Sequence, residues 1–228
     1  MDKYCVQGEN NKIILIEEGI ERELGDCEVI TGLNIEVKGN NNRIKLELPT
    51  VFLNNTFIQI GNDGVDVTIK KNCRLKALFI RCCFGANQKL EIGEGTTFNS
   101  GSIILDENAG CLIGNDCMFS SNIDLWATDG HVLFDRDTKE ILNALKAPVT
   151  IGNHCWVGNS VKFTKNANLP DNTVVGVGSV VTKTFTEEYT VIAGSPAKVV
   201  KTNICWARKT ALAMQKELEL NNIGALKI

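Results

Sequence analysis

His131 and His154 are the only histidines in a chain of 228 residues, so a step that needs an imidazole must use one of them. A histidine within reach of a hydroxyl can take its proton as the oxygen attacks an electrophile, because the reference pKa of the ring, about 6.5, lies near neutral pH. His131 stands in Asp129-Gly130-His131, where the aspartate can orient the ring or serve a turn. His154 stands in Ile151-Gly152-Asn153-His154-Cys155-Trp156-Val157-Gly158. Its outward slot, two residues after a glycine, suits packing or subunit contact better than acid–base work. Trp156 carries an indole N–H that can donate to a reacting group, and nearby backbone N–H groups can stabilise an oxyanion. The same side chain also suits an interface.

Other chemistries are excluded by residue type. The nine cysteines include the adjacent pair Cys82 and Cys83 and form no C-x-x-C, so neither a disulfide framework nor a zinc site is indicated. They read as reduced, buried, small apolar residues. Two histidines cannot supply a three-histidine hydratase site, and no metal is expected. A net charge of −3 disfavours nucleic acid as a partner. No apolar run reaches the length of a membrane span, and the opening MDKYCVQGEN lacks the apolar core of a signal peptide. A cytoplasmic location is expected.

An internal repeat must position these residues. Large apolar residues recur every six positions at Ile151, Val157, Phe163, Leu169, Val175 and Val181. Cys155, Val161, Ala167, Thr173 and Ser179, all small or β-branched, follow four residues after the first five. Ile-Gly opens segments at Ile60, Ile92, Ile113 and Ile151. A period of six fits neither a helix nor an alternating strand. It fits a coil with flat six-residue sides, the large residue inside and the small one at the turn.

The period predicts one domain over residues 1–202. Residues 1–59 are read as irregular early rungs, with turns such as Gly39-Asn40-Asn41-Asn42. Residues 128–148 break the period and form an excursion loop, a common place for function. From Asn203 to about Asn221 the spacing of Ala207, Ala211, Met214 and Leu218 predicts a helix. Residues 203–228 should then cap the end of the coil.

The repeat resembles the hexapeptide family, [LIV]-[GAED]-x-x-[STAV]-x, although Pro170 departs from it. More narrowly, Asp129-Gly130-His131, the Ile151–Gly158 stretch, Gly176–Lys183, Ala193-Gly194-Ser195-Pro196-Ala197-Lys198 and Asn203–Trp206 resemble bacterial O-acetyltransferases of capsule, sialic-acid and lipopolysaccharide sugars. The resemblance implies an all-β, left-handed parallel β-helix assembled as a homotrimer. It implies acetyl-CoA as donor, a saccharide hydroxyl as acceptor, His131 as general base and Trp156 beside it. Gly158, Gly176 and Gly178 would line the coenzyme slot, and Lys165, Lys183 and Lys198 would meet its charge. An assisting asparagine known in related sugar acetyltransferases is not assigned in Phe98-Asn99-Ser100-Gly101-Ser102. An amino-sugar N-acetyltransferase remains an alternative. Sugar-nucleotide pyrophosphorylases and serine acetyltransferases carry N-terminal domains with no counterpart in the sequence, and His131 and Trp156 argue against a non-catalytic scaffold.

Overall fold

The computed structural model describes residues 4–25 and 28–220. The chain winds through three eight-stranded sheets in rotation, one per side of a triangular coil. The first face includes Leu78–Cys82, Gly101–Ile104, Ile123–Trp126 and Lys162–Phe163. On the second lie Lys89–Ile92, Gly110–Ile113, Val149–Ile151 and Asn168–Leu169. The third carries Thr97–Phe98, Met118–Phe119, Trp156–Val157, Val174–Val175 and Val191–Gly194. Successive turns pair in parallel. Antiparallel hairpins close the ends, with Lys12–Glu17 against Ile20–Glu23 and Val191–Gly194 against Ala197–Lys201.

The interior is built by columns of like residues. Ile35, Ile58, Ile80, Ile103, Leu125, Phe163 and Val181 stand in register on the first face, all buried. Strict in–out alternation puts every second residue of a strand there. Truncating one of them, as in Ile80→Ala, should cost about 2–5 kcal/mol.

Turn length changes along the coil, as the hydrogen bonds between stacked rungs show. Asn40 and its partner Asp63 are separated by 23 in sequence, Ser102 and Asp124 by 22, and Asn153 and Asp171 by only 18. From Leu33 onward the early turns are therefore rungs with long corners, whereas the first turn is irregular: its strand Lys12–Glu17 folds back against Ile20–Glu23. The six-residue count describes the short later turns, and the earlier turns hide it by adding residues at their corners.

Corners are fixed by left-handed residues. Asn72, Gly95, Asp116, His154 and Asn172 all have φ between 51° and 71° and follow one another up the corner between the second and third faces. Asn, Asp and His tolerate this region better than most residues. Each rung donates to the one before it: His154 N to Asn115 O at 2.8 Å and Asn172 N to Asn153 O at 2.9 Å. At Gly114 the next rung passes so close that a Cβ would lie 2.7 Å from Asn153 N.

Two expectations fail here. The C-terminal helix is Ala211–Leu220, none of it buried, so it does not begin at Asn203 and does not cap the coil. Residues 203–210 are irregular instead, with Asn203 at a φ of +56°, because Trp206 and Arg208 are used against the third face. The thiols are mixed: Cys73, Cys82, Cys111, Cys117 and Cys155 are buried, Cys5 and Cys83 half-buried, and Cys205 exposed. Cys27 and the end of the tail lie outside the described residues. No helix among the described residues is long and apolar enough to cross a membrane.

Candidate active site

The excursion leaves the coil after Ile123–Trp126, at the corner between the first and second faces, and returns at Val149. Its outer part is a finger in which Phe134 bridges Ile141 antiparallel and Leu142 N donates to Leu133 O at 2.8 Å. The tip turns on Asp135, whose Oδ1 accepts from Thr138 N and Asp137 N. Those two N–H groups hold the Asp135 carboxyl below its ordinary range. Val132, Leu133, Phe134, Ile141 and Leu142 are all more than half exposed.

His131 stands at the finger's base, on the wall of a cavity of about 310 Å³ also lined by Glu107, Thr128, Asp129, Asn143 and Lys165. Asn143 sets its backbone. The amide Nδ2 donates to His131 O and to Asp129 Oδ2, each at 2.8 Å, and Oδ1 accepts from Leu133 N at 2.7 Å. Lys165 Nζ lies 2.5 Å from Asp129 Oδ2 and donates to Asn143 O at 2.6 Å. Burial alone would raise the Asp129 carboxyl. The hydrogen bonds from Lys165 and Asn143, with the Lys165 charge, outweigh it and hold the carboxyl below its ordinary range. Asp129 thus fixes the histidine through Asn143 and the backbone; no bond to the ring is seen.

Lys165, expected to meet the charge of the coenzyme, is tied into the base of the finger by Asp129 and Asn143. Lys183 stands one turn later at the same corner, exposed, with Nζ 5.2 Å from the Phe185 ring centre.

Trp156 lies elsewhere. It points outward from the third face, which is the side opposite the His131 corner, and does not line the His131 cavity. One chain therefore does not place it beside His131. Gly158 follows it outward on the same face. Gly158 and Gly176 stack on successive turns, and Gly176 stacks beneath Ala193, which pairs with Lys198 across the terminal hairpin. A Cβ on Gly158 would meet Val175 O and Val177 N at 2.9 Å, and one on Gly176 would meet Ala193 Cβ at 2.9 Å. Rung stacking thus requires these two glycines in any case. Gly178, at φ +68°, opens onto free space.

His154 anchors the tail. Nδ1 lies 2.7 Å from Asp116 Oδ2, Nε2 lies 3.1 Å from Trp206 O, and the ring stacks on Trp206 at 4.3 Å. Trp206 Nε1 donates to His154 O at 2.7 Å, and its ring lies 6.1 Å from that of Trp156. Arg208 donates to Asp116 Oδ1, Thr97 Oγ1 and Cys117 O at 2.9 to 3.0 Å. Neither Asp116 nor Arg208 stands out in the sequence, because only the stacking of distant rungs brings them together.

No family model matches the chain. Over 190 residues it is 37% identical to the polysialic acid O-acetyltransferase of Neisseria meningitidis, a match spanning 78% of this chain and 86% of that relative. The chain belongs to the hexapeptide-repeat acetyltransferases. A polysialic acid O-acetyltransferase of Escherichia coli O1:K1 / APEC is 33% identical over 142 residues, 62% of this chain but 45% of that relative's length. The crystal structure of the polySia-specific acetyltransferase NeuO superposes with a TM-score of 0.74 at 26% identity, covering 96% of each chain. That of the polysialic acid O-acetyltransferase OatWY gives 0.59 at 27% identity, covering 98% of this chain and 100% of the other. The fold class is that of the family, a left-handed parallel β-helix.

Proposed function

We propose that the protein transfers an acetyl group from acetyl-CoA to a hydroxyl of a bacterial surface saccharide, without a metal, in the cytoplasm where that donor is made. His131 takes the proton of the acceptor hydroxyl as its oxygen bonds to the thioester carbonyl carbon. The oxyanion that forms is stabilised by N–H donors, among them the Trp156 indole. When the intermediate collapses the carbon–sulfur bond breaks, and the proton held by His131 passes to the leaving thiolate. The column of Gly158, Gly176 and Ala193, with Gly178 at the adjoining corner, suits a narrow pantetheine track ending at Lys198, with Lys183 as a further cation.

The observation that carries this reading is the anchored position of His131 on the wall of a cavity, fixed by Asn143 and the Asp129–Lys165 pair. His131 and Trp156 lie on a corner and on the face opposite it, so a complete site needs two copies: the finger corner of one against the third face of the next. Such a head-to-tail contact closes into a ring, and a homotrimer matches the three-sided coil. The exposed apolar finger supports the same contact. The test is a mass-spectrometric screen of acetyl transfer from acetyl-CoA to bacterial glycans, with hydroxyl-only and amino-sugar acceptors side by side. Transfer to amines alone would replace the O-acetyl reading with N-acetylation, and no transfer to any acceptor would reject both.

A further inference from the structure

Where the second face bends into the third, each turn sets one small buried side chain, in the order Cys73, Thr96, Cys117, Cys155 and Thr173. The first four donate to a carbonyl of the following turn. Cys73 Sγ donates to Gly93 O at 3.1 Å, Thr96 Oγ1 to Gly114 O at 2.9 Å, Cys117 Sγ to Gly152 O at 3.0 Å and Cys155 Sγ to Pro170 O at 3.3 Å. Thiol and hydroxyl serve this slot alike.

Cys117 and Cys155 stand on neighbouring turns, although the excursion separates them in sequence. Their successors Met118 and Trp156 are register partners, and Met118 N donates to Cys155 O at 2.8 Å. Adjacent strands lie about 4.8 Å apart, inside the window of about 4.4–6.8 Å between Cα atoms that a disulfide accepts. The two sulfurs are hydrogen-bonded to one another. That bond outweighs burial and holds the Cys117 thiol below its ordinary range, and it pushes Cys155 up. No other two buried cysteines among the described residues are ladder neighbours. Thr96 separates Cys73 from Cys117, Cys82 pairs with Ile60, and Cys111 lies between Leu90 and Val149. The tail lies across this corner: Arg208 Nη2 donates to Cys117 O and Nε to Asp116 Oδ1, each at 2.9 Å.

We infer that Cys117 and Cys155 form a peroxide-sensitive pair, which closes to a disulfide between the turns flanking the excursion and slows transfer. The Cys117 sulfur attacks one peroxide oxygen, the O–O bond breaks, and a sulfenic acid and one water form. The Cys155 sulfur then bonds to that sulfur, the S–O bond breaks, and a second water leaves with the Cys155 proton. Two thiols are oxidised and one peroxide is reduced. The bridge withdraws both donors from Gly152 O and Pro170 O and strains Cys155, the chain neighbour of Trp156. The effect on turnover rests on the acetyl-transfer reading above; the bond itself does not.

The test treats the full chain with hydrogen peroxide at neutral pH, alkylates the remaining thiols and maps peptides without reduction. Cys205→Ser, treated alongside, removes the one exposed thiol among the described residues. Both proteins should yield a peptide linked through Cys117 and Cys155. Turnover should fall about tenfold, because a small displacement at a reacting centre is costly, and should return with a thiol reductant. Cys117→Thr keeps the donor, as Thr96 does in the same slot, and should retain turnover while withstanding peroxide. Cys155→Thr should behave likewise, and Arg208→Gln, which frees the tail, should link severalfold faster. Oxidation that leaves these two thiols free overturns the inference. So does an inactivation that persists in both threonine variants, or a link that leaves turnover unchanged. A parent that forms the link but transfers no acetyl group from acetyl-CoA to any glycan keeps the pair and discards the transfer reading.

Discussion

The Asp129 carboxylate and the Lys165 ammonium meet at 2.5 Å although the whole finger lies between them in sequence, because the excursion and the following rung share a corner. That pair and Asn143, with Thr128 Oγ1 on Glu107 Oε1, hold the base of the finger to the coil near His131. Lys165→Gln should therefore lower kcat about tenfold through misplacement of the histidine. The melting temperature should also fall modestly, since Lys165 is only 15% exposed and its loss takes a charged donor from Asp129 and from Asn143 O. The Asp129 carboxyl is held below its ordinary value, so the tie is complete above that value and is lost only as pH falls through the depressed one. In the variant the carboxyl should titrate at higher pH, which carboxyl-carbon NMR reads directly.

His131→Asn keeps size and polarity but removes the base, and turnover should fall by about 10²–10⁴ with acetyl-CoA affinity unchanged. His154→Asn should keep most turnover and loosen the tail, seen as faster proteolysis after Arg208 and Lys209. Steady-state kinetics, donor binding and timed digestion of both variants decide. Loss of turnover in the His154 variant with an intact tail would place the chemistry on the wrong histidine.

Mixing tests whether sites form between copies. His131→Asn and Trp156→Ala chains, each inactive alone, should regain about a quarter of parental activity when dissociated and reassembled together, because random pairing restores one intact His131–Trp156 combination in four. Leu133→Asp with Ile141→Asp should yield an inactive monomer by light scattering. Absence of complementation in a mixed oligomer would put the whole site within one chain.

The regular end of the coil was legible because the short turns repeat the hexad without interruption from Ile151 to Val181. Earlier turns were legible only in part, at the Ile-Gly starts of Ile60, Ile92 and Ile113, since extra corner residues shift the count while leaving the strand pairing intact. The excursion announced itself by breaking the period and carrying His131. The role of Lys165 did not, because a lysine at a corner reads as solvated until the corner it shares is known. The tail misled for a related reason. Ala207 to Leu218 have helical spacing, but Trp206 and Arg208 gain more by lying against His154, Trp156 and Asp116 than by continuing a helix.

Acid should release that tail. Burial would raise the Asp116 carboxyl, but hydrogen bonds from His154 and Arg208 outweigh it and hold it below its ordinary range. With a depressed folded value, the stabilisation is present above the unfolded carboxylate pKa of about 3.9 and is lost as pH falls through the folded value. Fluorescence of Trp206, read as the difference between the parent and Trp206→Phe, should shift to the red below about pH 4. In Arg208→Gln the shift should begin at higher pH. A signal that stays flat through the acid range in both would show that Asp116 does not hold the tail.

Gly114→Ala forces a methyl group to within 2.7 Å of the next rung's backbone and should cost about 1–3 kcal/mol, visible as a lower melting temperature. Gly178→Asn should be nearly neutral, because its space is open and asparagine tolerates a φ of +68°. Equal losses in the two variants would mean that backbone conformation, not rung spacing, makes both glycines necessary.

Ile113 and Ile151 pair directly across the excursion, as do Phe119 and Val157. At the corner between them Asn115 N donates to Asn153 Oδ1 over a sequence separation of 38, where the next turn spans 18. The excursion accounts for that difference to within a residue, so the hydrogen-bonded ladder closes as though it were not there. The exposed finger beyond His131 can thus lengthen, shorten or change sequence while the ladder of rungs stays closed. A lineage under pressure to modify a different glycan can revise its recognition loop by insertion and deletion, while the core that keeps it folded stays under separate selection.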